Sequence, residues 1–80
     1  MAKHTSEEII EWMRNRISQD LHCPPEDIDP DANYDALGLD SLAILIATGE
    51  LAEWLDTQLE AATLFEHPTI RALANHLSKE

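Results

Sequence analysis

Ile9, Ile10, Met13, Ile17 and Leu21 recur at the spacing of one helix face, and Ile70, Leu73, Ala74 and Leu77 form a second such stripe. No stretch alternates apolar and polar residues as a strand would, and no internal repeat is present. A chain of 80 residues holds one small domain. Its core removes roughly two-thirds of the unfolded surface from water. The pattern predicts an all-α fold, a small four-helix bundle of three main helices plus one short helix. Residues 1–80 read as a single domain with its core at about 5–78.

The punctuation sets the boundaries. Thr5 and Glu8 are spaced as a capping box, so the first helix starts there, and Glu11 can reach Arg14 along its surface. Trp12 falls at the edge of its stripe. Pro24-Pro25 ends this helix and Pro30 prevents another from starting soon after, leaving residues 22–40 as a long loop between helices one and two. One short turn at Pro25 to Ile28 is expected, with Ile28, Tyr34, Leu37 and Leu39 pinning the loop to the bundle. A loop of this length is usually functional.

Helix two runs from Ser41 to about Asp56, with Leu42, Leu45, Gly49, Ala52 and Leu55 facing the core and Leu51 close to that face. Gly49 in mid-helix costs about 1 kcal/mol relative to alanine, which a close neighbour or a small-residue binding surface would explain. Trp54 fits core, edge or contact surface alike. Glu60 to Phe65 forms one turn or two that packs Leu64 and Phe65, and Pro68 and Thr69 open the last helix.

Charge narrows the function. Sixteen acids against five bases give a net charge of −11. Residues 17–70 hold twelve of the acids and no Lys or Arg, so this stretch carries −12 while the two ends together carry +1. Nucleic acid and anionic membrane are excluded as partners, and basic protein surfaces are favoured. The lone Cys23 cannot form an internal disulfide. No apolar run approaches the ~20 residues that span a bilayer, and the polar start Met1 to Ser6 lacks a signal-peptide core. A cytoplasmic protein is the expectation.

Metal sites fail on spacing. If Asp27 opened a calcium loop of the EF-hand kind, Ala32 would stand where the loop needs glycine and Gly38 where it needs glutamate. His22-Cys23 lacks the further ligands of a zinc site, His67 beside Pro68 reads as a helix-end contact, and His4 and His76 form no visible constellation.

The junction Leu37-Gly38-Leu39-Asp40-Ser41-Leu42 carries the remaining chemistry. Gly38 permits a sharp turn. Asp40 is placed as an N-cap, and Ser41 becomes the first helical residue, its hydroxyl at the positive end of the helix dipole. On local physics this is either an ordinary loop-to-helix junction or a site that favours a phosphate. A serine hydrolase is excluded: the sequence around Ser41 is not Gly-x-Ser-x-Gly, and no strand precedes it. No catalytic residue is assigned.

Leu37 to Leu42 resembles the attachment motif of acyl carrier proteins, in which the serine carries a phosphopantetheine arm. Thr63-Leu64-Phe65-Glu66-His67-Pro68-Thr69-Ile70 resembles the start of the last helix in carrier domains of modular synthases. The two together span residues 28–77. The resemblance implies that Ser41 carries 4'-phosphopantetheine taken from coenzyme A by a phosphopantetheinyl transferase. Asp40 would cap the helix and help that transferase orient the serine. The protein would present acyl thioesters to other enzymes and catalyse nothing itself. Leu-Asp-Ser favours an acyl over a peptidyl carrier, and the Thr63 to Ile70 stretch favours a polyketide-type protein over a fatty-acid one. The alternatives are a peptidyl carrier of a nonribosomal peptide synthetase and a helical interaction module that is never modified.

Implied partners are a loading enzyme (an acyltransferase, or a fatty acyl-AMP ligase, which the run Gly49 to Leu55 suggests) and a ketosynthase or tailoring enzymes, met by a monomer. The chain reads equally as a free-standing protein or a segment of a synthase. With Leu45 and Gly49 inward, Ala43, Ile46, Ala47 and Glu50 form an apolar contact patch bordered by Glu53, with Leu42 beside the serine. A rotated helix two would instead put Ile46 in the core.

Overall fold

The computed structural model describes residues 4–78, so Lys3, Lys79 and the outer limits of the expected 1–80 domain lie outside the described residues. Four helices follow in order: α1 (Ser6–Leu21), α2 (Ser41–Leu55), α3 (Ala61–Glu66) and α4 (Ile70–Ser78), with a single 3-10 turn at Pro25–Asp27. This is the predicted all-α bundle of three main helices and one short one.

α1 begins at the expected capping box. The Glu8 N–H donates to Thr5 Oγ1 at 3.2 Å and the Thr5 N–H donates to Glu8 Oε1 at 2.9 Å. Two of the donors that every helix start leaves unpaired are thereby satisfied. Ile9, Ile10, Met13 and Ile17 are buried, each apolar side chain worth about 1.5–3 kcal/mol of transfer. The helix stops at His22, whose φ of 56° is left-handed, and the Cys23 N–H closes the last turn on Ser18 O at 3.2 Å. α4 packs across α1 with Ile70, Leu73 and Ala74 buried, and Thr69 Oγ1 caps it by accepting from the Ala72 N–H at 3.1 Å.

The long loop is pinned to the bundle at the four expected residues. Ile28 and Leu39 are buried, and Tyr34 and Leu37 pack half-buried against the same core. Between them the backbone is tied to the start of α4. The Tyr34 N–H donates to Pro68 O at 3.3 Å, the Arg71 N–H donates to Pro30 O at 2.9 Å, and Arg71 Nε pairs with Asp31 Oδ1 at 2.6 Å. Arg14 Nε donates to Pro25 O at 3.1 Å, fastening the 3-10 turn to α1.

α2 corrects the expected phase. Its buried residues are Ile44, Ala47, Thr48 and Leu51, whereas Leu42, Leu45 and Gly49 are exposed. At ~100° per residue the helix is turned by roughly a third of a revolution from the predicted orientation. Residues 42–47 are apolar on every side, so their pattern could not choose a face. Thr48 then passes for a surface residue, yet its hydroxyl donates to Ile44 O at 2.8 Å and Leu45 O at 3.0 Å and is satisfied within its own helix. In α3, Leu64 is buried but Phe65 is 80% exposed, so the expected packing of Phe65 does not occur.

Trp54 settles at the edge, stacked between His4 (centroids 3.9 Å apart) and Trp12 (5.6 Å). Arg16 joins α1 to α2 through Glu50 at 2.5 Å and also meets Asp20 at 2.9 Å.

Gly49 has no atom within 4 Å of where a Cβ would stand, so a close neighbour does not explain it. Gly49→Ala is therefore expected to stabilise the fold by about 1 kcal/mol. In thermal unfolding this reads as a midpoint roughly 4–8 °C higher.

Candidate functional site

The segment before α2 winds tightly onto itself. The Leu37 N–H donates to Asn33 O and Tyr34 O, the Gly38 N–H to Asp35 O at 3.0 Å, and the Leu39 N–H to Tyr34 O at 3.1 Å. Gly38 sits at φ +90° with open space around it, so the backbone angle alone would strain any other residue there. Leu39 drives inward while Asp40 turns out to cap α2, its Oδ1 accepting from the Ala43 N–H at 2.8 Å. Ser41 follows as the first helical residue and is exposed.

Ser41 borders a cleft of about 310 Å³, within the size range of small-molecule sites. Leu39, Ile44, Leu45, Leu64, Phe65 and Pro68 give it apolar walls, and Asn33, Tyr34, Asp35 and Asp40 supply polar groups. The wall contains no histidine to serve Ser41 as a base. A phosphate-linked arm fits these residues: an exposed hydroxyl to carry it, a helix N-terminus for its charge, and an apolar channel alongside.

The other sequence-predicted contact residues divide. Leu42 is 67% exposed and Ile46 48% exposed, Glu53 is exposed, and Ala43 is half-buried. Ala47 is only 1% exposed, so it belongs to the core and not to the patch, for the reason of phase given above. Glu50 is exposed but held by Arg16, whose guanidinium is kept firmly protonated by that carboxylate and by Asp20. Leu45 and Phe65 join the exposed apolar surface, and neither was legible as such. His67 stacks on His76 with centroids 4.3 Å apart, a contact between the end of α3 and α4. Among the described residues no group of three or more metal-binding side chains forms, and no helix is long and apolar enough to cross a membrane.

A family model described as the phosphopantetheine attachment site matches residues 11–77. A phenolphthiocerol/phthiocerol polyketide synthase from Mycobacterium tuberculosis is 32% identical over 78 residues, 98% of this chain but 4% of that protein. This chain thus spans a few per cent of the length of such curated relatives. Among solved structures, the acyl carrier protein Asl1650 from Anabaena sp. PCC 7120 superposes with a TM-score of 0.87 at 33% identity, covering 98% of this chain and 89% of that one. A free-standing peptidyl carrier protein from Acinetobacter baumannii gives a TM-score of 0.82 at 33% identity, with 91% of each chain covered. The fold and the exposed serine define a carrier protein. The chain belongs to the phosphopantetheine-attachment family, whose members are non-catalytic and hold 4'-phosphopantetheine covalently, and its likeness within that family is to carrier domains of the polyketide-synthase type.

Tyr34 is the only tyrosine, and burial pushes its hydroxyl up from 10 to about 12. The unfolded chain then releases this proton at lower pH than the native one, so the group leaves stability unchanged below pH ~10 and lowers it as pH rises from there toward ~12. Urea titrations across this range should show wild type losing up to about 2–3 kcal/mol more than Tyr34→Phe. Parallel pH profiles for the two proteins would contradict this.

Proposed function

We propose that Ser41 is the attachment residue and that the chain ferries acyl intermediates, as a cytoplasmic monomer, between enzymes of a polyketide or fatty-acid-like pathway. The observation that carries this is the exposed Ser41 hydroxyl, set at the first position of α2 behind the Asp40 cap and at the mouth of an apolar cleft. With a phosphopantetheinyl transferase, Ser41 Oγ would lose its proton and form an O–P bond to the pantetheine-bearing phosphate of coenzyme A, as the pyrophosphate P–O bond breaks and adenosine 3',5'-bisphosphate leaves. When bound, the phosphopantetheine group supplies a thiol on which acyl chains ride as thioesters.

The chain's own residues do the rest by placement. Asp40 holds the helix start in register and offers the transferase a carboxylate beside the hydroxyl. Leu42, Leu45, Ile46 and Phe65 give loading enzymes, ketosynthases or tailoring enzymes an apolar landing surface. Glu50 and Glu53 border it and suit basic rims on those enzymes. The likeness to the Acinetobacter peptidyl carrier keeps a nonribosomal peptide role as the second reading.

Incubation with coenzyme A and a broad-specificity transferase should add one phosphopantetheine by intact mass, and Ser41→Ala should add none. Modification that persists in the variant would overturn the assignment. The fold should survive, since an exposed hydroxyl contributes little to the core.

Ile46→Glu tests the landing surface. Its thermal stability should stay within about 0.5 kcal/mol of wild type, because the side chain is half exposed. Acyl loading or transfer by a cognate enzyme should fall roughly tenfold, the effect of losing one such apolar contact. Unchanged transfer would remove Ile46 from the interface.

A further inference from the structure

Away from Ser41, the far end of α2 meets the start of α1 in an aromatic cluster. Trp54 lies near the end of α2, roughly 20 Å along the helix from Ser41. Its ring stacks on those of His4 and Trp12, with centroids 3.9 and 5.6 Å apart. The three rings are only half-buried, and together with Glu7, Glu8 and Glu11 they line an open groove of about 530 Å³. Such a groove has two features that suit a cation. An indole face attracts positive charge, and a carboxylate pairs with it directly. Two of the acids are already engaged: Glu8 accepts from the Thr5 N–H and lies 3.5 Å from His4, and Glu11 meets Arg14 at 3.3 Å. Glu7 has no such partner among the described residues.

We propose that this groove docks an arginine side chain from a basic segment of a partner protein. A guanidinium suits it better than an ammonium, because its plane stacks on an indole while its N–H groups reach a carboxylate. A second copy of this chain is a poor occupant. Arg14, Arg16 and Arg71 are each paired with an acid of their own chain, and a net charge of −11 opposes self-association. The same charge disfavours nucleic acid and anionic lipid, which leaves a basic protein. Because the groove lies at the opposite end of α2 from Ser41, a partner held here leaves the serine end open to another enzyme. The docking is independent of whether Ser41 is modified.

Both tryptophans of the chain line the groove, so intrinsic tryptophan fluorescence reports on this site. The probe is the end-capped peptide Gly-Ser-Arg-Leu-Arg-Ser-Gly, titrated beside versions in which lysine or citrulline replaces both arginines. The arginine peptide should give a saturable change, with the lysine peptide about threefold weaker and the citrulline peptide about tenfold weaker. Glu7→Gln, an exposed substitution, should weaken binding of the arginine peptide about threefold. Trp12→Leu should weaken it by a similar factor, read on Trp54 once thermal unfolding has confirmed the fold. Ser41→Ala should bind as wild type does. No saturable change, equal binding of the three peptides, or an unchanged affinity in Glu7→Gln would overturn the assignment. Loss of binding in Ser41→Ala would move the peptide to the other end of α2 and overturn it as well. A fluorescence shift on concentrating the protein alone would give the groove to a second copy instead.

Discussion

Ile28 and Leu39 bury themselves at the two ends of a segment that has no helix of its own, and the position of everything functional follows from that. A long connection is costly to order, and a buried loop must also find partners for its backbone groups. Both demands are met at α4, where Pro68 O, just before its start, accepts from the Tyr34 N–H and the Arg71 N–H donates to Pro30 O. α2 therefore starts at a point fixed by the core and not by the flexibility of the loop. Ser41 is two residues beyond a buried leucine, yet it is exposed. On the proposed reading this anchoring serves Ser41 well, because it leaves the residue fixed in place and accessible at once.

How much of this the sequence disclosed depends on the helix. α1 and α4 each have one polar face, so the stripes Ile9 to Leu21 and Ile70 to Leu77 could be read directly and were found buried or half-buried. α2 offers six apolar residues in a row, and such a segment gives no phase. Its orientation is set by partners distant in sequence. Ile44, Ala47 and Leu51 find their places in the core, and the Arg16–Glu50 pair, 34 positions apart in sequence, bridges α1 and α2 at the exposed edge. Ala47 consequently moves from the surface to the core, while Leu45 moves the other way. Phe65 was misread for a simpler geometric reason. Neighbours on a helix stand ~100° apart, and the six-residue α3 presents Leu64 to the core and Phe65 to solvent.

The cleft was invisible to pattern reading because it draws on residues 33–35, 44–45 and 61–68, which only the fold brings together. The attachment motif was legible for the opposite reason. Cap, turn glycine and serine lie within a few consecutive residues, and each acts through local backbone geometry. Local rules sufficed to place the proposed attachment serine, while its surroundings required the tertiary structure.

Charge and apolar surface then divide the work of meeting a partner. The three described arginines are all engaged within the chain: Arg14 with Glu11, Arg16 with Glu50 and Asp20, and Arg71 with Asp31. Arg16 and Arg71 offset only Asp20, Glu50 and Asp31 of the twelve acids in the stretch from 17 to 70, so that stretch keeps a net negative charge. Leu42, Leu45, Ile46 and Phe65 would make two copies of this surface sticky toward each other, but the acids around them repel a second copy. A basic partner meets attraction instead, over a range of ~8 Å at physiological salt. Long-range charge thus speeds the encounter, whereas a small apolar contact determines how long it lasts. On the proposed reading that balance suits the task, because a carrier must leave each enzyme as readily as it arrives. A larger apolar patch would hold the cargo at one station, and a weaker field would slow its arrival at the next.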